Sequence, residues 1–284
     1  REFISQVEKF SRLRRVDYAD PYLEIGGITE VAAGLPDVPA LLFDNIKGLP
    51  RGYRVFTNPL MTPERAALAL GIDPTLRPID ALRAWMKKRQ AMKIQKPVSV
   101  KEGPFLENSF AGAEVDLAKL PAPVWHRKDG GPYIGSGSIV VMRDPDTGWI
   151  NASIYRVQVH GRNRVTVQFD HMGRHGAIVA NKYWAAAKPC PVAVVNGDDP
   201  ALFIAGMESL PAGYSEFDFA GAIREAPLEV CAGPHTGLPI PAHAEIVLEG
   251  ELVPMSRGTL PEGPFAEFLG YYAADRRPGP IMEV

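Results

Sequence analysis

Cysteine is scarce. Cys190 and Cys231 are the only two in 284 residues, and their spacing fits neither a metal finger nor a redox pair, so buried thiols in a reducing compartment are expected. A surplus of one charge is missing too. The net charge of −2 favours no polyanionic partner. The basic runs at Arg12 to Arg15 and Lys87-Lys88-Arg89 read as solvated faces of a strand and a helix rather than as a nucleic-acid footprint. No apolar run approaches the length of a membrane span, and charge from the first residues argues against a signal peptide, so a cytoplasmic protein with no membrane or nucleic-acid partner is expected. No Gly-Lys pair supports a P-loop, no Gly-x-Ser-x-Gly marks a serine nucleophile, and Gly135-Ser136-Gly137 is too short for a dinucleotide fingerprint. His171 and His175 stand four apart, yet the acid of a zinc-protease helix is missing and Gly173 interrupts the pattern. There is no initiating Met, and Ile281 to Val284 reads as the start of another strand, so a longer parent chain is expected.

What is present centres on Trp149 to His175. Its first limb is rich in β-branched and aromatic residues, turns at Gly161-Arg162-Asn163, and returns through Val165 to Phe169, the pattern of a hairpin. The ribbon carries an amide at Asn151, a guanidinium at Arg156 and an imidazole at His171, which combine metal-ligand and anion-binding chemistry. Asn151 and Arg156 are separated by roughly 16 Å of extended chain, about the length of a flavin mononucleotide. Their odd spacing places them on opposite faces of a straight strand, so a bulge or strong twist is expected if both are to meet one ligand.

Around this ribbon the length suggests two domains. Helical spacing at Glu2 to Phe10, Leu23 to Ala33 and Ile79 to Met92 alternates with strands at Leu13 to Val16 and Pro39 to Phe43, and Thr62-Pro63-Glu64 is a helix start with a capping hydroxyl. This predicts a small α/β domain over residues 1–110. After a proline-rich connection within Lys96 to Gly131, strands at Ser138 to Arg143, Trp149 to His160, Val165 to Phe169, Pro191 to Asn196, Leu228 to Cys231 and Ala244 to Leu252 predict a barrel or sandwich over residues 111–284. Helices near Ala177 to Ala187, Pro200 to Met207 and Glu216 to Ile223 interrupt it. His126, His160, His235 and His243 have no partner that the sequence identifies, and read as surface or core residues.

A second informative stretch is Pro261 to Tyr272. Gly263 and Pro264 disfavour regular helix between Glu262 and Glu267, so a loop sets the two acids' relative position. Two acids five apart are common, and a surface loop is the plain reading. Beside an arginine and under an aromatic cover, one carboxyl could stay protonated by desolvation while the other ionises, giving a poised proton donor.

Asn-x-x-Ile-Tyr-Arg at Asn151 to Arg156, His-x-Gly-Arg-His at His171 to His175, Pro241 to Gly250, and Glu-Gly-Pro-Phe-x-Glu-x-x-Gly-Tyr-Tyr at Glu262 to Tyr272 together resemble the UbiD family of decarboxylases. The resemblance runs over essentially the whole chain, more loosely before about Lys96. It implies an α+β protein in which the N-terminal α/β domain precedes a split β-barrel that binds prenylated flavin mononucleotide (FMN), with a further C-terminal domain apparently absent from this chain. It also implies a reversible, non-oxidative carboxy-lyase acting on an aromatic, heteroaromatic or α,β-unsaturated acid, with carbon dioxide as co-product, a flavin prenyltransferase as cofactor supplier, and a homo-oligomeric state.

By the same resemblance Asn151, His171 and Glu216 would ligate manganese, or magnesium, and potassium would sit at the phosphate. An amide oxygen, an imidazole and a carboxylate form a fairly hard donor set suited to that role. Ser153, Ile154, Tyr155, Arg156, Gln168, Phe169, Asp170 and Met207 would line the flavin, and Arg156, Glu262 and Glu267 match the catalytic arginine and acid pair. Ala266 departs from the family's usual glycine, which should alter the loop slightly without removing the acid. Alternatives are an ordinary FMN-dependent oxidoreductase on a similar barrel and a non-catalytic flavin-binding subunit.

Overall fold

The computed structural model describes residues 1–10, 13–267 and 270–284. Arg12, at the head of the basic strand-like run, and Phe268 and Leu269 of the acid-bearing stretch lie outside the described residues.

The N-terminal unit holds α1 (Glu2–Phe10), β1 (Leu13–Asp17), α2 (Glu24–Ala33), β2 (Ala40–Asp44), β3 (Val55–Thr57), α3 (Pro63–Ala69) and α4 (Pro78–Ala91). β2 is central, parallel to β1 and antiparallel to β3. Its continuous apolar run Ala40 to Phe43 is buried, as a strand covered on both faces requires. Ile25, Leu41, Phe43 and Ile46 form the core of the unit. Thr62 caps α3, its side chain accepting the Arg65 amide at 3.4 Å, with Pro63 in the first turn.

The larger unit contains β4 (Val98–Ser99), β5 (Tyr133–Arg143), β6 (Ile150–His160), β7 (Arg164–Gln168), α5 (His175–Ala185), β8 (Cys190–Asn196), α6 (Pro200–Met207), α7 (Glu216–Arg224), β9 (Glu229–Ala232), β10 (Pro239–Pro241), β11 (Ile246–Leu252), β12 (Thr259–Glu262) and β13 (Arg277–Glu283). The strands run β11-β8-β5-β6-β7-β13-β12, and a further β11–β13 pairing joins the two ends of a six-stranded, barrel-like sheet. β4 lies parallel to β9 in a separate small sheet with β10.

The two-residue alternation predicted from sequence divides the barrel strands between two cores. Val140, Met142, Tyr155, Val157, Val165, Val167, Val192 and Val194 point to one cluster, which α5 also enters through Ala177, Val179 and Ala180. Ile139, Val141, Ala152, Ala193 and Val195 point the other way, against Leu202 and Ala205 of α6 and Phe217 and Ala220 of α7. Each buried Val, Ile, Leu or Met side chain among them stabilises the fold by about 2 kcal/mol relative to exposure. Cys190 and Cys231 are both free and buried, and burial pushes the Cys190 thiol up to about 12, which leaves it unreactive.

The distortion expected between Asn151 and Arg156 is not found in β6, whose register against β5 is unbroken from Ile150 to Tyr155; the irregularity lies in β5, its partner. Between Tyr133 and Ser138 the register slips twice against Gln158 to Tyr155. That bulge explains why β5 starts at Tyr133 and not at Ser138: Gly135 and Gly137 within it lack strand character in sequence. The two units meet at Trp125. A Cβ on Gly26 of α2 would lie 2.0 Å from the Trp125 carbonyl oxygen, and Leu23 donates its amide to the Val124 carbonyl at 2.9 Å.

Candidate active site

β7 pairs with β6 over Arg156 to His160, so on that side the first half of β6 has no strand beside it among the described residues, while β5 lines its other edge. The Glu216 carboxylate, at the first residue of α7, takes that place. Its Oε2 accepts the Ala152 amide at 2.8 Å, and its Oε1 accepts from Asn151 Nδ2 at 2.9 Å and Ser153 Oγ at 3.0 Å. Glu216 is 1% exposed. Burial raises its proton affinity; the Ala152 amide, Ser153 and the nearby His175 only partly offset this. The Asn151 amide oxygen beside it is buried with no hydrogen-bond partner. An orphaned amide oxygen next to a buried carboxylate that, among the described residues, no lysine or arginine pairs is a donor set suited to a hard divalent cation.

His171 is exposed on the loop after β7; its Nδ1 accepts the Gly173 amide at 3.1 Å, and it forms no hydrogen bond or ion pair with Asn151 or Glu216. Among the described residues no three His, Cys, Asp or Glu side chains converge as a metal cluster. The imidazole whose charge reaches Glu216 is that of His175, which stacks edge-on against Trp149 at 5.1 Å.

Further along β6, Arg156 meets Glu262 through two parallel bonds, Nε to Oε1 at 2.8 Å and Nη2 to Oε2 at 2.9 Å. The Glu262 side chain is wholly buried and that of Arg156 is 14% exposed. Burial works against the arginine's charge and Glu262 more than offsets it, so the guanidinium's proton affinity is raised. Tyr133 donates to Glu262 Oε1 at 3.1 Å, and burial followed by the glutamate's charge keeps its phenol protonated. The Gln168 amide is oriented by its surroundings, with nitrogen toward Glu262 Oε2 at 3.3 Å and oxygen toward Arg277 Nη2 at 2.6 Å. Glu267 stands 3.7 Å from Arg156 Nη1 and is 34% exposed. Phe265 covers the group: its ring centroid is 5.5 Å from the Arg156 guanidinium and 4.5 Å from the Tyr133 ring. Glycine is required at position 263, where φ is +77° and the amide donates to Gln158 Oε1 at 2.9 Å. Ala266 forms a β-bridge with Tyr272, so an alanine is accommodated there.

Other expected flavin neighbours are dispersed. Tyr155 and Phe169 pack edge-on in the barrel core at 5.0 Å, Ile154 packs against the α6 and α7 side, Asp170 is exposed with φ +56°, and Met207 is 54% exposed at the end of α6. Sequence reading missed Tyr133, Gln158, Arg277 and His175 as members of these clusters. Arg277 offered a signal, a basic pair at the head of a strand; Tyr133 and Gln158 offered none.

A cleft of about 1930 Å³ runs between the two units and reaches Phe265 and Glu267. Among the described residues, four lining residues carry buried polar atoms without a hydrogen bond: Trp125 Nε1, His126 Nδ1, Asn196 Nδ2 and Asp198 Oδ2.

Residues 96–284 match the family described as 3-octaprenyl-4-hydroxybenzoate carboxy-lyase Rift-related domain, and residues 4–88 match its N-terminal domain. The chain belongs to the UbiD family. It is 34% identical over 275 residues to a pyrrole-2-carboxylic acid decarboxylase from Pseudomonas aeruginosa, covering 93% of this chain and 54% of that protein. Among UbiD structures it resembles the closed form of the Sedimentibacter hydroxybenzoicus vanillic acid decarboxylase, with TM-score 0.91 and 30% identity over all of this chain and 60% of that one. It also resembles an evolved dimeric form of the UbiD-class enzyme HmfF from Pelotomaculum thermopropionicum in complex with prenylated FMN, with TM-score 0.85 and 30% identity over 99% of this chain and 63% of that one. The chain thus spans between half and two thirds of the length of these UbiD relatives. Among its described residues no helix is long and apolar enough to cross a membrane.

Proposed function

We propose that this chain carries the prenylated-FMN site of a reversible, non-oxidative decarboxylase of an aromatic, heteroaromatic or α,β-unsaturated carboxylic acid. The observation that carries the reading is the buried two-bond pair of Arg156 and Glu262, with Glu267 beside the same guanidinium under Phe265. An ordinary flavin oxidoreductase has no use for a second acid at that place.

When bound, the prenylated flavin supplies an electron sink for the carbon that loses carbon dioxide. The protein's part is positional and protonic. The Arg156 fork, held flat by Glu262, orients the substrate carboxylate, a task for which lysine's point charge is unsuited. Glu267 delivers the proton to the carbon that carboxylate leaves. Phe265 and the Tyr133 ring shield this end from water. At the far end of the ribbon the Asn151 amide oxygen and Glu216 would hold manganese or magnesium, with His171 brought in from its exposed loop as the third ligand, and the cations, with potassium as the monovalent ion, would neutralise the cofactor's phosphate. A flavin prenyltransferase supplies the cofactor, and the working enzyme is a cytoplasmic homo-oligomer.

The test is purification of the intact protein after co-expression with a flavin prenyltransferase, followed by carbon dioxide release over a panel of unsaturated and aromatic acids. Turnover should require the modified flavin and fall by about a hundredfold or more in Glu267→Gln, the range of a lost proton donor. Undiminished turnover in that variant, or turnover with unmodified flavin, overturns the reading.

A further inference from the structure

The acid-bearing loop has little regular structure of its own, so what grips it decides where Glu267 stands. The side chain of Glu267 is not tightly held: its ion pair with Arg156 is 3.7 Å long and the carboxylate is partly open to solvent. The grip is on the backbone: Gln158 accepts the Gly263 amide at 2.9 Å and the Tyr271 carbonyl accepts the Glu267 amide at 2.8 Å, and the segment between Trp125 and Gly131 holds the residues between them. Gly130 donates its amide to the Pro264 carbonyl at 2.8 Å. Asp129 Oδ1 accepts the amide of Ala266, the residue preceding Glu267, at 3.1 Å. Lys128 donates its amide to the Tyr272 hydroxyl at 3.1 Å.

Asp129 is a built element of this grip. Its side chain is 0% exposed, and Ala266 is 6% exposed, so the bond between them is shielded from water and has no ready substitute. The second carboxylate oxygen accepts the His126 amide at 2.9 Å and lies 3.5 Å from His126 Nδ1. His126 Nε2 is in turn 2.5 Å from Glu30 of α2. A line of contacts therefore runs from the N-terminal unit through His126 and Asp129 to the residue before the proposed proton donor.

We propose that Asp129 is a positioning residue for Glu267, holding the acid through the Ala266 amide, with Glu30 and His126 setting Asp129 from the N-terminal unit. This rests on the reading of Glu267 as proton donor. A displacement of about 1 Å at a reacting group can cost about a hundredfold in rate, and removal of Asp129 leaves a buried N–H with no acceptor at the residue next to that group.

The experiment uses the intact, cofactor-loaded enzyme with Asp129→Ala, Asp129→Asn, Glu267→Gln and the Asp129/Glu267 double variants. Asp129→Ala should lower kcat by about a hundredfold while KM and flavin content stay close to wild type, and the solvent deuterium isotope effect on kcat should rise as proton delivery becomes slower. Asp129→Asn keeps an oxygen for the Ala266 amide and should recover most of the rate. In the Glu267→Gln background neither substitution at 129 should cost more, and Asp129→Asn keeps this comparison possible if the alanine variant does not fold. An additive loss, or an unchanged kcat and isotope effect in the single variants, overturns the proposal. Hydrogen exchange across residues 263–267 gives a readout independent of turnover. It should quicken in Asp129→Ala, or to a smaller degree in Asp129→Asn, and unchanged exchange also overturns the proposal. A wild-type enzyme that releases no carbon dioxide defeats the functional reading alone, because the exchange measurement still decides whether Asp129 holds the loop.

Discussion

Arg156 and Glu262 lie 106 residues apart in sequence and meet through two parallel hydrogen bonds of 2.8 and 2.9 Å, with the carboxylate fully out of water. Removing one partner of such a pair strands a charge in a poor solvent. Arg156→Ala should therefore destabilise the protein by roughly 3–5 kcal/mol, read by denaturant unfolding of the cofactor-free form. Arg156→Lys should keep most of that stability and still lose activity, since one ammonium cannot replace the fork. Equal stability in Arg156→Ala and wild type would show that water reaches the pair.

Glu216 gives a pH dependence whose sign follows from its environment. Burial raises its proton affinity, so the folded state without metal prefers the neutral acid, and thermal stability should fall as pH rises through the raised value. Glu216→Gln should flatten that slope. With manganese present the dependence should reverse, because the cation requires the ionised carboxylate. Melting curves at about pH 5 and about pH 8, with and without manganese, separate the cases; Asn151→Ala should abolish the manganese effect by removing the orphaned oxygen.

Asp198 behaves similarly at the cleft. Burial pushes its carboxyl up to about 8 from 3.8, with one oxygen lacking a partner. The folded state binds the proton more tightly than the unfolded chain, so this group's stabilisation is present below about pH 4 and is lost as pH climbs toward 8. Asp198→Asn should remove that loss. A stability profile identical to wild type across this window would contradict the assignment.

Gly26 is the point at which α2 touches the Trp125 backbone, and a methyl group there has no room. Gly26→Ala should cost roughly 1–3 kcal/mol and loosen the contact between the units, seen as faster hydrogen exchange at Leu23 and Val124. Ala substitution at Gly27, where a Cβ meets nothing within 4 Å, is the matched control.

The sequence made legible what depends on local pattern. The alternation in β6 and β7, the capped start of α3 and the glycine-centred turn between the limbs of the hairpin all follow from side-chain period and backbone preference, and they appear where expected. The joining of Arg156 to Glu262 was legible only through a motif match, since nothing local links β6 to β12. Tyr133, Gln158 and Asp129 were illegible for the same reason: each reaches the stretch from Glu262 to Ala266 through a hydrogen bond that spans more than 100 residues of sequence. His126 was read as a surface or core residue because its carboxylate partner, Glu30, comes from the other unit. β5 was read short because its bulge replaces strand formers with glycines, and β13 was read short because Pro278, Gly279 and Pro280 hide a strand whose role is to pair with three others.

That last strand imposes an order of events on synthesis. β7 and β11 touch only through β13, so the ring of strands cannot shut until residues near 280 have left the ribosome. Until then β7 and β11 expose unpaired edges, and Gln168 and Glu262 lack the Arg277 that faces them. A nascent chain is therefore an open ribbon prone to wrong pairings until residues near 280 complete the ring.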